Sequence, residues 1–265
     1  MKTNTRLFFK FLIKRCLADC IFDIGSCDGH ESTQFRAMRP DARIIAFEAN
    51  PFLYQRMMEN PNLRDRRIEV LPFAISDKNG VAHFHVTDVD YDNAQAKNPG
   101  TSSLLLHEGL MVKEVIEVST RRIDEFLLSE FPRARNVALW IDAEGAEYEI
   151  LQGMTGIKDR VVAIHVETSH TPMRVGQKVY SEVKALMDGL GFFAVGDDIP
   201  PWRNWGDAVF IRKDVPATLG FRYHLCRAAG CVSYGIRANF IGGILKNHCN
   251  PLYQVLSRLY TKLFS

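Results

Sequence analysis

The segment Phe22-Asp23-Ile24-Gly25-Ser26-Cys27-Asp28-Gly29 constrains this chain more than any other: an apolar strand ends in an acid, turns on glycine and opens a helix. In open α/β sheets, ligands sit beyond the carboxyl ends of the strands where the strand order reverses, and a glycine turn there lets backbone approach a ligand closely. Glu48 follows a second apolar strand, 25 residues beyond Asp23. A carboxylate at that place can accept hydrogen bonds from both hydroxyls of a ribose. Gly25 and Gly29 are spaced G-x-x-x-G rather than in the G-x-G-x-x-G pattern of dinucleotide sites, which disfavours an NAD enzyme. Asp23, at the strand end, suits the cationic amino-acid part of a cofactor without a pyrophosphate.

Strand and helix patterns alternate along most of the chain. Ile21 to Ile24, Arg43 to Phe47, Ile68 to Ala74, Val81 to Val86, Val115 to Val118, Val137 to Ile141 and Arg160 to Val166 read as strands, with Phe192 to Val195 and Ala208 to Arg212 closing the series. Glu31 to Met38, a helix capped by Asn50 and Pro51, Ile123 to Leu128, Glu144 to Leu151 and Tyr180 to Leu190 read as helices. This alternation predicts a doubly wound α/β domain whose mostly parallel sheet is covered on both faces. Thr87 to Ser103 is polar, with Asn98, Pro99 and Gly100, and reads as a long loop of the kind that forms lids.

Charge divides the 265 residues into three parts. Met1 to Ala18 carries five basic residues and no acid, and Val215 to Ser265 carries six and no acid, which leaves 22 basic residues against 31 acids between Asp19 and Asp214. The expected organisation is a basic amphipathic N-terminal helix over 1–18, a catalytic domain over 19–214 and a basic helical extension over 215–265. Asn250 and Pro251 start an apolar stripe through Leu252, Val255, Leu256, Leu259, Tyr260, Leu263 and Phe264. Basic apolar helices of this kind suit either a peripheral contact with an anionic membrane or packing on the domain. Apolar runs fall short of the roughly 18 residues of a membrane span, and no interleaved aromatic and basic module suggests nucleic acid. The six cysteines have neither C-x-x-C nor zinc-finger spacing, so reduced thiols in a cytoplasmic protein are the expectation.

Five blocks in order resemble the FkbM-type methyltransferases: Phe22 to Gly29, Ala46-Phe47-Glu48-Ala49-Asn50-Pro51, Ala74-Ile75-Ser76-Asp77 before Gly80, Thr101-Ser102-Ser103-Leu104, and Trp140-Ile141-Asp142-Ala143-Glu144-Gly145-Ala146-Glu147. The resemblance covers about Ile21 to Lys213. It implies a class I methyltransferase, Rossmann-like, with a seven-stranded sheet and S-adenosylmethionine as cofactor. It also implies that Asp23, Gly25, Ser26 and Gly29 line the methionine portion, that Glu48 holds the ribose and that Ala74, Ile75 and Ser76 border the adenine. Cys27, Ala49 and Asp142 complete the implied cofactor contacts. At Ser26-Cys27-Asp28 the chain departs from the family, which more often has Ala-Asn and a variable residue.

Methylation of a hydroxyl requires the acceptor to lose a proton, so a base should stand at a strand end facing the cofactor. Asp142, Glu144, Glu167 and His165 are so placed, with Glu144 read as the first residue of a helix and Glu147 as an acid facing solvent or a partner charge. His165 and Glu167 share one face of their strand. The oxygens of Asp142, Glu144 and Glu167 would also suit magnesium, although carboxylates at strand ends commonly work without metal, and none is expected. From the resemblance, the expected acceptor is a hydroxyl on a saccharide, a lipid-linked saccharide or a small metabolite. Methylation of nitrogen, or a non-catalytic protein that binds the cofactor or a membrane, are the alternatives.

Overall fold

In the computed structural model residues 1–87 and 100–241 are described. The elements run α1 (Thr5–Arg15), β1 (Cys20–Ile24), α2 (His30–Met38), β2 (Arg43–Phe47), α3 (Pro51–Glu59), α4 (Pro61–Asp65), β3 (Glu69–Leu71), β4 (Ala74–Ser76), β5 (Gly80–Thr87) and β6 (Val112–Arg122). They continue with α5 (Ile123–Glu130), β7 (Val137–Ile141), α6 (Glu147–Gln152), β8 (Val161–Ser169), α7 (Tyr180–Gly189), β9 (Phe192–Asp197), β10 (Trp205–Arg212), α8 (Val215–Leu219) and α9 (Phe221–Ile241).

Seven strands form the main sheet in the order β3-β2-β1-β7-β8-β10-β9. All run in one direction except β10, which is antiparallel to both its neighbours. β1 and β7 are buried at every position, as strands covered on both faces must be. Chain order leaves β1 toward β2 on one side and resumes at β7 on the other, so the reversal point lies between β1 and β7.

The strand expected over Ile68 to Ala74 is two strands in two sheets. β3 ends the main sheet, whereas β4 joins β6 and β5 in a separate three-stranded sheet. Pro72 lies between them and has no N–H to give a ladder, which releases the chain from the first sheet. The strand expected at Val115 to Val118 is part of the eleven-residue β6 of that second sheet. Within the expected loop over Thr87 to Ser103, Thr87 belongs to β5 and Ser103 pairs with His85 through two backbone hydrogen bonds. Residues 88–99 lie outside the described part.

Helix α1 is not a detachable appendage. Asn4 caps it by accepting from the Leu7 N–H, and Phe8, Phe9, Leu12 and Ile13 are fully buried against the sheet. Phe9 meets Phe35, Trp140 and His165 with ring centroids 5.5 to 5.8 Å apart. Its apolar side is therefore occupied by the core rather than available to a membrane. The expected helix from Asn250 lies outside the described residues, among which no helix is long and apolar enough to cross a membrane. Among the described residues, Cys16, Cys20, Cys226 and Cys231 are in no disulfide.

Replacing Phe9 by alanine removes a fully buried ring from this contact. A loss of about 3–5 kcal/mol is expected in denaturant unfolding, whereas an exposed helix would lose almost nothing.

Candidate active site

At the reversal point the chain ends β1, turns at Gly25 and passes beneath the end of β7. The N–H groups of Gly25 and Ser26 both donate to the Phe47 carbonyl at 3.0 and 3.1 Å, and the Asp142 N–H donates to Ile24 at 2.9 Å. Gly25 has φ +79°, and a Cβ there would stand 1.8 Å from the Asp142 carbonyl oxygen, so only glycine fits. Between these turns opens a cleft at the carboxyl ends of β1, β2 and β7.

Glu48 lines one side of the cleft, 5% exposed. Its carboxylate accepts the Cys27 N–H at 2.8 Å on one oxygen and the Asn50 N–H at 2.8 Å on the other. A carboxylate oxygen can accept more than one hydrogen bond, so a carboxylate at this place suits the two hydroxyls of a ribose. Phe73, Ala74, Ile75, Phe84 and Ile150 provide apolar walls suited to a flat base. Asp142 and Glu144 line the cleft as well and offer negative charge to a cationic group. A carboxylate, an apolar slot and an acidic wall around one cleft fit the hydroxyls, the base and the cationic centre of S-adenosylmethionine.

Gly25, Cys27, Glu48, Ala49, Ala74, Ile75 and Asp142 line the cleft, as the sequence leads one to expect. Asp23, Ser26, Gly29 and Ser76 are not among its lining residues. Asp23 is 1% exposed, accepts from the hydroxyls of Ser26 at 2.8 Å and Ser32 at 2.6 Å, and is pushed up to about 6 by burial. Its carboxylate braces the glycine turn from behind. Gly29 starts α2 at φ +77°, and Ser76 donates to Asp77 at 3.2 Å. The walls that sequence reasoning missed are apolar ones, Phe73, Phe84 and Ile150, together with Gly100, and an alternating strand pattern gives no sign of which ligand a face will meet.

Three carboxylates, Asp142, Glu144 and Glu167, bring one oxygen each to within 4.8 Å of the others; Asp142 and Glu144 line the cleft, whereas Glu167 is not among its lining residues. Glu144 does not start a helix. It has φ +55° and precedes Gly145 at φ +105°, and α6 begins only at Glu147. Two successive left-handed residues cannot open an α-helix, so no helix end faces the Glu144 carboxylate. Glu147 faces inward rather than solvent: it is 3% exposed and accepts the N–H groups of Ala143 and Gly145, both at 3.0 Å. Burial pushes it up to about 7, and its two hydrogen bonds hold the turn that carries Asp142 and Glu144.

Asp142 rises from its ordinary 3.8 to about 7, first through burial and then through Glu144 nearby. Burial, then Asp142 and Glu144, drive Glu167 far upward. His165 is not in the cleft. It lies 1% exposed and stacked on Trp140 at 3.6 Å, and burial holds it well below 6.5 and hence neutral. Neither ring nitrogen has a hydrogen-bond partner among the described residues, although Nε2 stands 3.7 Å from Asp207. Asp207, the register partner of Glu167 on β10, is a further buried acid here that spacing along the chain did not point to.

The Methyltransferase FkbM domain family matches residues 23–194 of this sequence. The chain belongs to that family. It is accordingly an S-adenosylmethionine-dependent methyltransferase. Among curated relatives, the 2-O-methyltransferase NoeI of Sinorhizobium fredii is 29% identical over 68% of this chain and 74% of its own length. The hexuronic acid methyltransferase AglP of Haloferax volcanii is 27% identical over 63% of each. A solved FkbM methyltransferase from Methylobacillus flagellatus KT has a TM-score of 0.45 at 12% identity, covering 73% of this chain and 43% of that one.

A carboxyl whose folded value is raised keeps a proton that the unfolded chain has released, so its contribution to stability is full below its ordinary value and is lost as pH rises through the folded one. For Asp142 that window runs from 3.8 to about 7. Asp142→Asn is therefore expected to raise the melting temperature at about pH 8 and to change it little at about pH 4. Melts at the two pH values check this, and equal effects at both would contradict it.

Proposed function

We propose that this methyltransferase transfers the methyl group to a hydroxyl oxygen of a saccharide, with Asp142 and Glu167 together receiving the acceptor's proton. The carrying observation is the carboxylate cluster, two of whose members line the cleft that also holds Glu48. The names of the two relatives, one a 2-O-methyltransferase and the other a hexuronic acid methyltransferase, support a sugar hydroxyl as acceptor.

Bound S-adenosylmethionine supplies a methyl group on a positive sulfonium, a ready electrophile. The work of the chain is to hold the acceptor in line and to take its proton. Glu48 and the turn at Gly25 fix the cofactor's sugar, and the walls from Phe73 to Ile75 exclude water from the base. A hydroxyl entering at the carboxylate cluster meets Asp142 and Glu167, where burial first, and neighbouring carboxylates second, raise the affinity of the pair for a proton. As the acceptor oxygen bonds to the methyl carbon, the methyl–sulfur bond would break with its electron pair left on a neutral thioether, while the hydroxyl hydrogen passes to this pair and is then released to solvent.

Asp142→Asn and Glu167→Gln are each expected to lower kcat by about 10²–10⁴-fold with saccharide acceptors, and in Glu167→Gln, which leaves the cleft lining intact, cofactor affinity should stay within a few-fold. In the unsubstituted protein, turnover should rise with pH through about 7, as Asp142 loses its proton. Methyl transfer that survives both substitutions would contradict the assignment. Loss of activity on adding a chelator would instead give the carboxylates to a divalent cation.

A further inference from the structure

Arg174 lies between β8 and α7, 30 residues beyond Glu144, yet its side chain is 3% exposed and ends on the Glu144 carboxylate. The guanidinium donates to the Glu144 carboxylate and, at 3.0 Å, to the carbonyl of Thr101. Further bonds close the same junction. Ser103 donates its hydroxyl to the Glu144 carbonyl at 2.8 Å, and the Val175 N–H donates to Leu106 at 2.9 Å. The Gln177 side chain accepts the N–H groups of Met173 and Arg174 at 2.7 and 3.2 Å, which fixes the backbone from which Arg174 projects. Gly145 leaves room for the arginine stem, because a Cβ there would stand 2.8 Å from Arg174 Cδ.

We propose that Arg174 is a positioning residue for methyl transfer, tying three segments of separate origin into one wall on the acceptor side of the cleft. These are 101–106, the turn 142–147 and the stretch 170–178. The proposal rests on the methyl-transfer reading of the site. Glu144 sits at φ +55°, so its carboxylate is held at the rim by contacts from outside its own turn. The planar guanidinium forms two directed hydrogen bonds to acceptors on different segments, which a point-like ammonium cannot match. Glu144 is paired with Arg174, which sets it apart from Asp142 and Glu167 within the cluster. In this way the clamp separates a positioning carboxylate from the proton-accepting pair. Glu48 and the base slot from Phe73 to Ile75 lie outside the clamped segments, so the ribose and base contacts of the cofactor are kept when the clamp is broken.

The test uses Arg174→Ala, Arg174→Lys and Glu144→Gln in the full chain, with three readouts. For Arg174→Ala, kcat toward a saccharide acceptor should fall by about 100-fold or more while the cofactor Kd stays within about threefold. Arg174→Lys should recover only part of the loss, and added guanidinium should restore turnover in Arg174→Ala but not in the unsubstituted protein. By hydrogen exchange, the amides of 101–106 and 170–178 should lose protection together in Arg174→Ala and in Glu144→Gln. Turnover within threefold of the unsubstituted protein, full recovery by lysine, or loss of cofactor affinity in parallel with kcat would overturn the proposal. If the unsubstituted protein methylates no saccharide, the functional reading fails by itself. Exchange then decides the clamp: a joint loss of protection in the two segments sustains it, and unchanged or unlinked exchange overturns it.

Discussion

The contact between the ends of β1 and β7 is the constraint on which the rest of the site depends. Asp142 donates its N–H to Ile24, and its carbonyl occupies the space that a side chain at residue 25 would need. Two parallel strands brought this close leave their connections no choice but to diverge, one toward α2 and the other toward α6. The cleft is the space between the diverging turns. Glu48 closes it from the β2 side by fastening the Cys27 and Asn50 backbones with a single carboxylate. That carboxylate therefore orders the turn after β1 and the start of α3 together.

Concentrating acids at the carboxyl edge works against folding. Asp142, Glu167 and Asp207 are all forced upward, chiefly by burial, and charge adds to it, from Glu144 on Asp142 and from Asp142 and Glu144 on Glu167. The fold tolerates this because the surrounding structure is heavily over-determined. Trp140, one position below the end of β7, is locked between Phe9 of α1, Phe35 of α2 and His165 of β8. Like-charged carboxyls held at a fixed spacing are costly for stability but suited to accepting a proton near neutral pH.

Much of this was legible in the sequence where local chemistry determines local structure. β2 and β7 have the boundaries their apolar runs predict, β1 is one residue longer, and Asn50-Pro51 caps α3 as such a pair should. The exceptions have specific causes. Pro72 splits one apolar run between two sheets, and nothing in that run indicates that Ala74 will pair with Thr120. The segment Asp142-Ala143-Glu144-Gly145 has the composition of a helix start, but Gly145 at φ +105° instead allows a left-handed turn that aims Glu144 into the cleft. Helix α1, basic and apolar, reads equally well as an interfacial helix, and only the uncovered face of the sheet shows where its phenylalanines belong. Among site residues, Gly25 and Glu48 follow from motif spacing. Arg174 and Asp207 do not, because they reach the site through long-range packing that no local pattern records.

The central claim is that the Gly25–Glu48 cleft binds S-adenosylmethionine. Calorimetric titration of the full chain with S-adenosylmethionine, beside NAD and beside a Glu48→Ala variant, tests it most directly. The account predicts binding of S-adenosylmethionine with a Kd of about 1 μM to 1 mM, weakened by at least about tenfold in the variant, and no comparable binding of NAD. Failure to bind S-adenosylmethionine, a preference for NAD, or an unchanged Kd in the variant would contradict it.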